Sequence, residues 1–348
     1  MFYIHDTSFI SPQQTFGTIA IDGLRDVVNN KLQVVEPSYE GIPAGILRRM
    51  GKAIRIGVGT ALPIIKGTDK PIDGIIIGTA NGGMEDCIKF LNQIIDYDEG
   101  MLTPTNFVQS TTNAIAAQIG LLSANKSYNT THVHRGLSFE NALLDAGMLL
   151  RENANANYLA GGVDEISTYN YNIDWLDGWF KKESIPAKDL YSSNTIGSIA
   201  GEGSAMFLVN NEKENALAKI TGLHLLHTTD KIVVADQLKL FLEKYLLPGQ
   251  KPDLFLSGED GDSRMFPYYE SCEGVLNKQT PVARFKHMTG EYATASAAAV
   301  WLACTIVGKQ SIPQHMLKYD SAPSAYSRIL IYNNHKGQQH SFILVEKA

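Results

Sequence analysis

Apolar positions along this 348-residue chain alternate between short continuous runs and longer stretches with helical spacing, the rhythm of strands followed by helices. A strand is expected at residues 1–5 and another in the apolar run at 72–77, closed by the glycine-rich loop GTANGG at 78–83. Runs of this kind belong to strands covered on both faces. Helical spacing follows at 84–97 and again at 110–121, with Pro104 in the loop ahead of the second helix. The segment TTHVHRGLSFENALLDA (130–146) is a polar, β-branched approach, a turn, and the start of a helix expected over 138–153. A strand at 156–161 ends in GGVDE, and the polar, aromatic stretch 167–194 has little periodicity and reads as a loop or cap.

A glycine-rich turn then opens a strand within 201–211, the charged NEKENA makes a link, and 217–226 starts a new strand, so the chain divides into halves at 1–213 and 214–348. The second half repeats the rhythm: a helix at 235–245, a strand at 253–257, the acidic loop GEDGD, a helix at 268–276 and an alanine-rich helix at 293–306. Strands at 327–332 and 341–346 close the chain, joined by the polar loop NNHKGQQH. Strand and helix alternating in both halves imply an α/β protein with mixed sheets covered on both sides.

Composition adds limits. With 44% hydrophobic and 19% charged residues the chain has an ordinary globular balance and is long enough for a sizeable core. A net charge of −6 and the lack of a Lys/Arg block argue against a nucleic-acid partner. The longest apolar stretches, such as 295–307, are too short for a membrane span, and the N-terminus lacks the basic and apolar regions of a signal peptide, so a cytoplasmic protein is expected. Cys87, Cys272 and Cys304 have no CxxC spacing and suit neither a disulfide framework nor a zinc site. Cys87 and Cys304 fall in helical patterns as core residues, and Cys272, in YYESCEG, could lie near the surface, with nothing to orient a base toward it. GTANGG lacks the Lys-Ser/Thr of a phosphate loop, and Glu259, Asp260 and Asp262 lack the spacing of a calcium loop. No cofactor and no metal are expected.

The chemistry concentrates at 130–146, laid out like a nucleophile elbow in which the first helical turn presents a side chain to a pocket. The residue at its tip is Gly136, which has no nucleophile.

Taken in order, IIIGTANGG, TPTNFVQSTTNAIAAQIGLL, the elbow and its helix ending in LAGGVDE, AGEGSAMFLV, SGEDGD and FKHMTGEYATASAAAVWL resemble the β-ketoacyl-acyl-carrier-protein synthases of thiolase fold. The resemblance runs from about residue 70 almost to the C-terminus. It implies a five-layer αβαβα fold of two pseudo-equivalent halves, and a dimer. That family condenses acyl chains with a Cys at the elbow, whose thiolate a helix N-terminus stabilises, and two histidines that serve decarboxylation. Its positions fall here on Gly136, Asp260 and Glu291, with the supporting Lys retained as Lys286. His134 and Ser138 are the neighbouring candidates; a register shift would bring His134 to the tip as a base or nucleophile. The family's gating loop matches NNHKGQQHS only through Gly337.

A scaffold without its nucleophile resembles the chain-length-factor class, subunits that pair with an active ketosynthase and shape the tunnel for the growing chain in fatty acid or polyketide synthesis, aryl polyene pigments included. The implied partners are acyl carrier protein, acyl and malonyl chains, and an active ketosynthase, or a second copy of the chain, joined through segments 103–122 and 127–134. Two other readings stand beside it: an acyltransferase or decarboxylase working with unusual residues, and a homodimer that binds an acyl chain or carrier protein. Asp260 and Glu291 facing each other could form an acid/base pair, or be neutralised by Lys286 or Arg284.

Overall fold

The computed structural model describes residues 1–276, 279–319 and 323–348. The first half supplies β1 (Phe2–Ile10), α1 (Lys52–Gly67), β2 (Gly74–Gly78), α2 (Met84–Asp96), α3 (Pro104–Gln109), α4 (Ala114–Leu122), β3 (Tyr128–His132), α5 (Ser138–Glu152), β4 (Tyr158–Asp164), α6 (Thr168–Leu176) and β5 (Gly203–Asn210). The second supplies β6 (Ala218–His227), α7 (Lys231–Tyr245), β7 (Leu254–Ser257), α8 (Phe266–Val275), β8 (Val282–Arg284), α9 (Ala295–Lys309), β9 (Arg328–His335) and β10 (Gln339–Glu346).

The strands run in the order β8-β7-β9-β10-β6-β1-β5-β4-β2-β3. Both halves repeat one pattern. In the first, β3, β2 and β4 are parallel, then β5 and β1 turn antiparallel. In the second, β8, β7 and β9 are parallel, then β10 and β6 turn antiparallel. A short antiparallel pairing of Phe2–Ile4 with Ala218–Ile220 joins the two.

Side-chain alternation explains the layers. Along β2, Ile75 and Ile77 pack with Ile56 and Ile115 of α1 and α4, while Ile76 faces Phe139 of α5 and Ala298 of α9. In the second half, Phe255 and Leu330 pack on Val234 and Tyr269 of α7 and α8, while Leu256 and Ile331 face α9. Helices thus lie outside each five-stranded half of the sheet, and α5 and α9 lie between the halves: five αβαβα layers, as expected.

Several local expectations change. Residues 52–67 form a sixteen-residue helix that its three glycines and Pro63 disguise. Burial of ten of those residues outweighs their weak propensity. Pro104 is the first residue of α3 rather than part of a loop, a position where its missing N–H costs nothing, and the helix expected from 110 starts at Ala114. The stretch 167–194 contains α6, capped by Ser167 Oγ, which accepts from the Asn170 N–H at 3.2 Å. NNHKGQQH is a hairpin tip instead of a loop: β9 runs to His335, β10 restarts at Gln339, and only three residues turn between them. Cys272 is fully buried in α8 rather than near the surface, and burial raises its thiol well above the ordinary range. No helix among the described residues is long and apolar enough to cross a membrane.

Candidate functional site

Residues of β2, β4 and β9 meet the N-terminal turn of α5: Gly78 and Gly162 pack against Ser138 and Phe139, and His335 against Gly136. Gly136 lies in the tight turn Arg135–Leu137 that opens this helix. The Ser138 hydroxyl holds the turn, accepting from the His134 N–H and donating to the Arg135 carbonyl, both at 2.8 Å. Ser138 is thereby used on both sides.

Asp164, at the end of β4, fixes the approach to the site. It accepts from Thr79 Oγ1 and the Ala80 and Asn81 N–H groups on one oxygen, and from Thr294 N–H and Oγ1 on the other. The glycine-rich loop 78–83 is a packing turn tied to the start of α9, as its sequence suggests. Glu202, from the GEG motif, is buried, pairs with Lys52 and accepts from Val34 and Ile166 N–H at 2.9 and 2.8 Å. Both motifs brace the framework, and Ala80, Asn81 and Gly201 also line the cavity next to it.

A cavity of about 810 Å³ opens beside the elbow, with His134, Arg135, Asp260, Glu291, His335 and Gln339 in its wall. Asp260 follows β7 in a turn in which its Oδ1 accepts from the Asp262 N–H at 3.0 Å. Glu291 sits behind Gly290, whose φ of +71° is left-handed and whose Cα packs against Gly201; a side chain at 290 would meet that backbone. Main-chain hydrogen bonds from Glu291 N–H to Ile199 O and from Gly201 N–H to Glu291 O lock the position. Lys286, fully buried, forms an ion pair with Glu291 Oε2. His335 Nδ1 stands 3.6 Å from Glu291 Oε1.

Charge divides unequally across this cluster. Burial pushes the Glu291 carboxyl up, but the Lys286 ammonium and His335 outweigh it, so Glu291 titrates below the usual range. Burial also pushes Asp260, up to about 7; Lys286 opposes the rise while Glu291 and Asp262 add to it. Glu259 and Asp262 are taken by other cations, Glu259 by Arg284 and Lys318 at 3.1 and 2.9 Å and Asp262 by Arg264 at 2.6 Å. Arg284 therefore neutralises Glu259, leaving Lys286 to the Glu291 pair.

Asp260 yields a pH test. Its folded-state pKa lies above the 3.8 of an unperturbed Asp, so its contribution to stability is present below about pH 4 and is lost as pH rises through 7. Asn at 260 removes that loss. The stability of Asp260→Asn relative to the unaltered chain is expected to rise by roughly 3–4 kcal/mol between pH 4 and pH 8, from about three pKa units at 1.36 kcal/mol each. Urea unfolding at the two pH values checks it; a difference that does not change with pH would place the ionised carboxylate in a well-solvated setting.

Two residues were not singled out by sequence reasoning. His335 packs against the Cα of Gly136, where a Cβ would overlap the imidazole and its own Cβ. Gln339, paired with His335 across the hairpin, accepts the Gly136 N–H on Oε1 at 2.8 Å. The two histidines and glutamines within NNHKGQQH were the available signal, and reading the segment as a loop hid it. His132 pairs with Asp145 at 2.9 Å, away from the cavity wall.

Residues 26–172 match the family model described as the β-ketoacyl synthase N-terminal domain. None of the curated proteins matches the chain in sequence. Among solved structures, a β-ketoacyl synthase from Burkholderia phymatum STM815 superposes over 100% of this chain and 99% of its own, with a TM-score of 0.79 and 13% identity. The ishigamide ketosynthase/chain length factor covers 100% and 99%, with a TM-score of 0.76 and 12% identity. The ketosynthase ApeO in complex with its chain length factor ApeC from Xenorhabdus doucetiae covers 100% and 98%, at 0.75 and 12%. At such identities these structures establish the fold. They give the whole chain the thiolase-like fold of the ketosynthases, and residues 26–172 are similar to the β-ketoacyl synthase N-terminal domain.

Proposed function

We propose that this chain is a ketosynthase-like subunit that does not condense acyl chains by itself and pairs with an active ketosynthase in fatty acid or polyketide synthesis, pigment pathways of the aryl polyene type included. The observation that carries the reading is the elbow. Gly136 has no nucleophile, His335 takes the space a side chain would need, and the Gly136 N–H is already engaged by Gln339. A thioester carbonyl entering here would find neither an attacking sulfur nor a free elbow N–H to hold its oxyanion. The two family histidine positions, assigned here to Asp260 and Glu291, carry carboxyl groups that Lys286 balances in part.

Partnering has support in the first half. Strand β3 ends the sheet, hydrogen-bonded to β2 on one side only among the described strands, so its other edge is a template for pairing. Helix α4 beside it exposes Leu121 at 75%, and α3, which packs on α2, exposes Phe107 and Val108 at 60% and 68%, apolar surface of the kind that partners cover. These residues lie within the segments 103–122 and 127–134 that the sequence nominates. A second copy of the chain would fit the same edge, and the carrier protein and acyl chain would belong to whichever dimer forms. We keep the division of the chain at 213/214 and a cytoplasmic site of action as parts of this reading.

Co-expression with a ketosynthase encoded beside it, size-exclusion chromatography and a malonyl-thioester condensation assay test it. A one-to-one complex that condenses only when both chains are present is the expected result; condensation by this chain alone would overturn it. Val108→Glu combined with Leu121→Glu should abolish association, because charged side chains would be desolvated at the contact. Both sites are exposed in the single chain, so its own stability should move by less than about 0.5 kcal/mol. Association unaffected by the pair would place the interface elsewhere.

A further inference from the structure

The hairpin tip that fills the elbow also arms it. His335 ends β9 and Gln339 begins β10, directly opposite each other, and both line the 810 Å³ cavity. The imidazole lies over Gly136 with Cγ and Cδ2 against it, at the point where an elbow would present an attacking group. Its Nδ1 faces Glu291, which the buried Lys286 holds in place, so Nε2 is the nitrogen left to the cavity. Imidazole beside a carboxylate is the pairing of a general base, and here the 3.6 Å separation has to shorten to a hydrogen bond for Glu291 to orient the ring. Gln339 is oriented too. The Gly136 N–H can only donate, so the oxygen of the Gln339 amide must point at it, and the NH2 end is turned away from Gly136 to the cavity that Gln339 lines.

We propose that His335 and Gln339 form a hydrolytic site for small acyl thioesters. The proposal rests on the reading of this fold as one that handles acyl thioesters, and goes beyond it: hydrolysis needs no elbow nucleophile. Water adds to the thioester carbon while His335 Nε2 takes its proton. The carbonyl electron pair moves onto oxygen, where the Gln339 NH2 donates to it. The carbonyl then re-forms, the C–S bond breaks, and the thiol leaves with the proton from His335. The products are a carboxylic acid and a thiol, and no other reactant is consumed.

The isolated full chain and the butyryl thioester of N-acetylcysteamine test this, with the released thiol read by a chromogenic disulfide. Saturable release well above the protein-free rate is expected. His335→Ala should lower kcat by about a hundredfold, and added imidazole should restore part of it, which a merely structural histidine would not permit. Gln339→Ala should lower kcat by about tenfold or more with KM little changed, as for a donor that acts on the developing oxyanion. Release no faster than without protein overturns the proposal, as does a His335→Ala chain that matches the unaltered one or a loss that imidazole leaves unrepaired. Complex formation with a ketosynthase is read separately, so failure of the hydrolytic site leaves the partner reading standing, and a homodimer that hydrolyses leaves only the partner reading overturned.

Discussion

Gly136→Ala should destabilise the protein by about 2–3 kcal/mol, the upper part of the range for overpacking a well-filled interior. The reason is position rather than backbone. Gly136 is absent from the residues with left-handed φ, so its dihedrals suit alanine; what a methyl group meets is the Cβ and ring of His335. A Cβ is fixed to its strand and cannot swing away as the end of a long side chain can. The test is a double-mutant cycle in urea. His335→Gly removes the opposing Cβ, and in that background Gly136→Ala should cost less than about 1 kcal/mol, giving a coupling of roughly 2 kcal/mol. Alanine at 335 would be the wrong partner, because it keeps the atom that collides. Equal costs in both backgrounds would mean that the elbow and hairpin tip separate readily. The same geometry bears on restoring the family nucleophile: Gly136→Cys is expected to be destabilised and inactive in condensation, since the new side chain competes with His335 and no family histidine faces it.

The layers were legible because strands covered on both faces and helices with apolar periodicity leave a plain mark. The run at β2 and the alanine-rich α9 are of this kind. What escaped was set by tertiary context. Helix α1 carries glycines and Pro63 that local propensity counts against it, and only its burial between β1, β5 and α4 makes it a helix. The site divides in the same way. Gly136, Asp260, Lys286 and Glu291 could be nominated from ordered motifs, and the structure places Asp260 and Glu291 in the wall of one cavity, Lys286 paired with Glu291, and Gly136 between the wall residue Arg135 and Leu137. His335 and Gln339 could not be, because their importance comes from a contact across some two hundred residues of chain. A polar hairpin tip and a polar loop look alike in sequence; which one reaches the elbow is decided by the register of β9 on β10.

Lys286→Met should carry the largest penalty of any single change in the cluster, about 3–5 kcal/mol, because it leaves buried carboxyl groups without their cation. Lys286 is wholly enclosed and pairs with Glu291, and it is also the charge that restrains Asp260 from rising further. The pH dependence gives the cause away. In the unaltered chain Glu291 titrates below its unfolded value, so its contribution is present above about pH 4.5 and is lost as pH falls through the lower folded value. Without Lys286 the burial of Glu291 goes unopposed except by His335, and its folded pKa rises above the unfolded one. The sign then reverses: the carboxyl is tolerated when protonated and costs stability as pH rises. The deficit of Lys286→Met should therefore be small at pH 4 and widen toward pH 8. Adding Glu291→Gln should recover about half or more of it at pH 8, since the double variant buries an amide in place of an unpaired charge. Urea midpoints for the three variants across pH 4 to 8 measure this directly. A deficit that stays constant with pH, or one that Glu291→Gln deepens, would mean that Lys286 stabilises the fold through packing of its aliphatic stem and that the carboxylates find their compensation from water in the cavity.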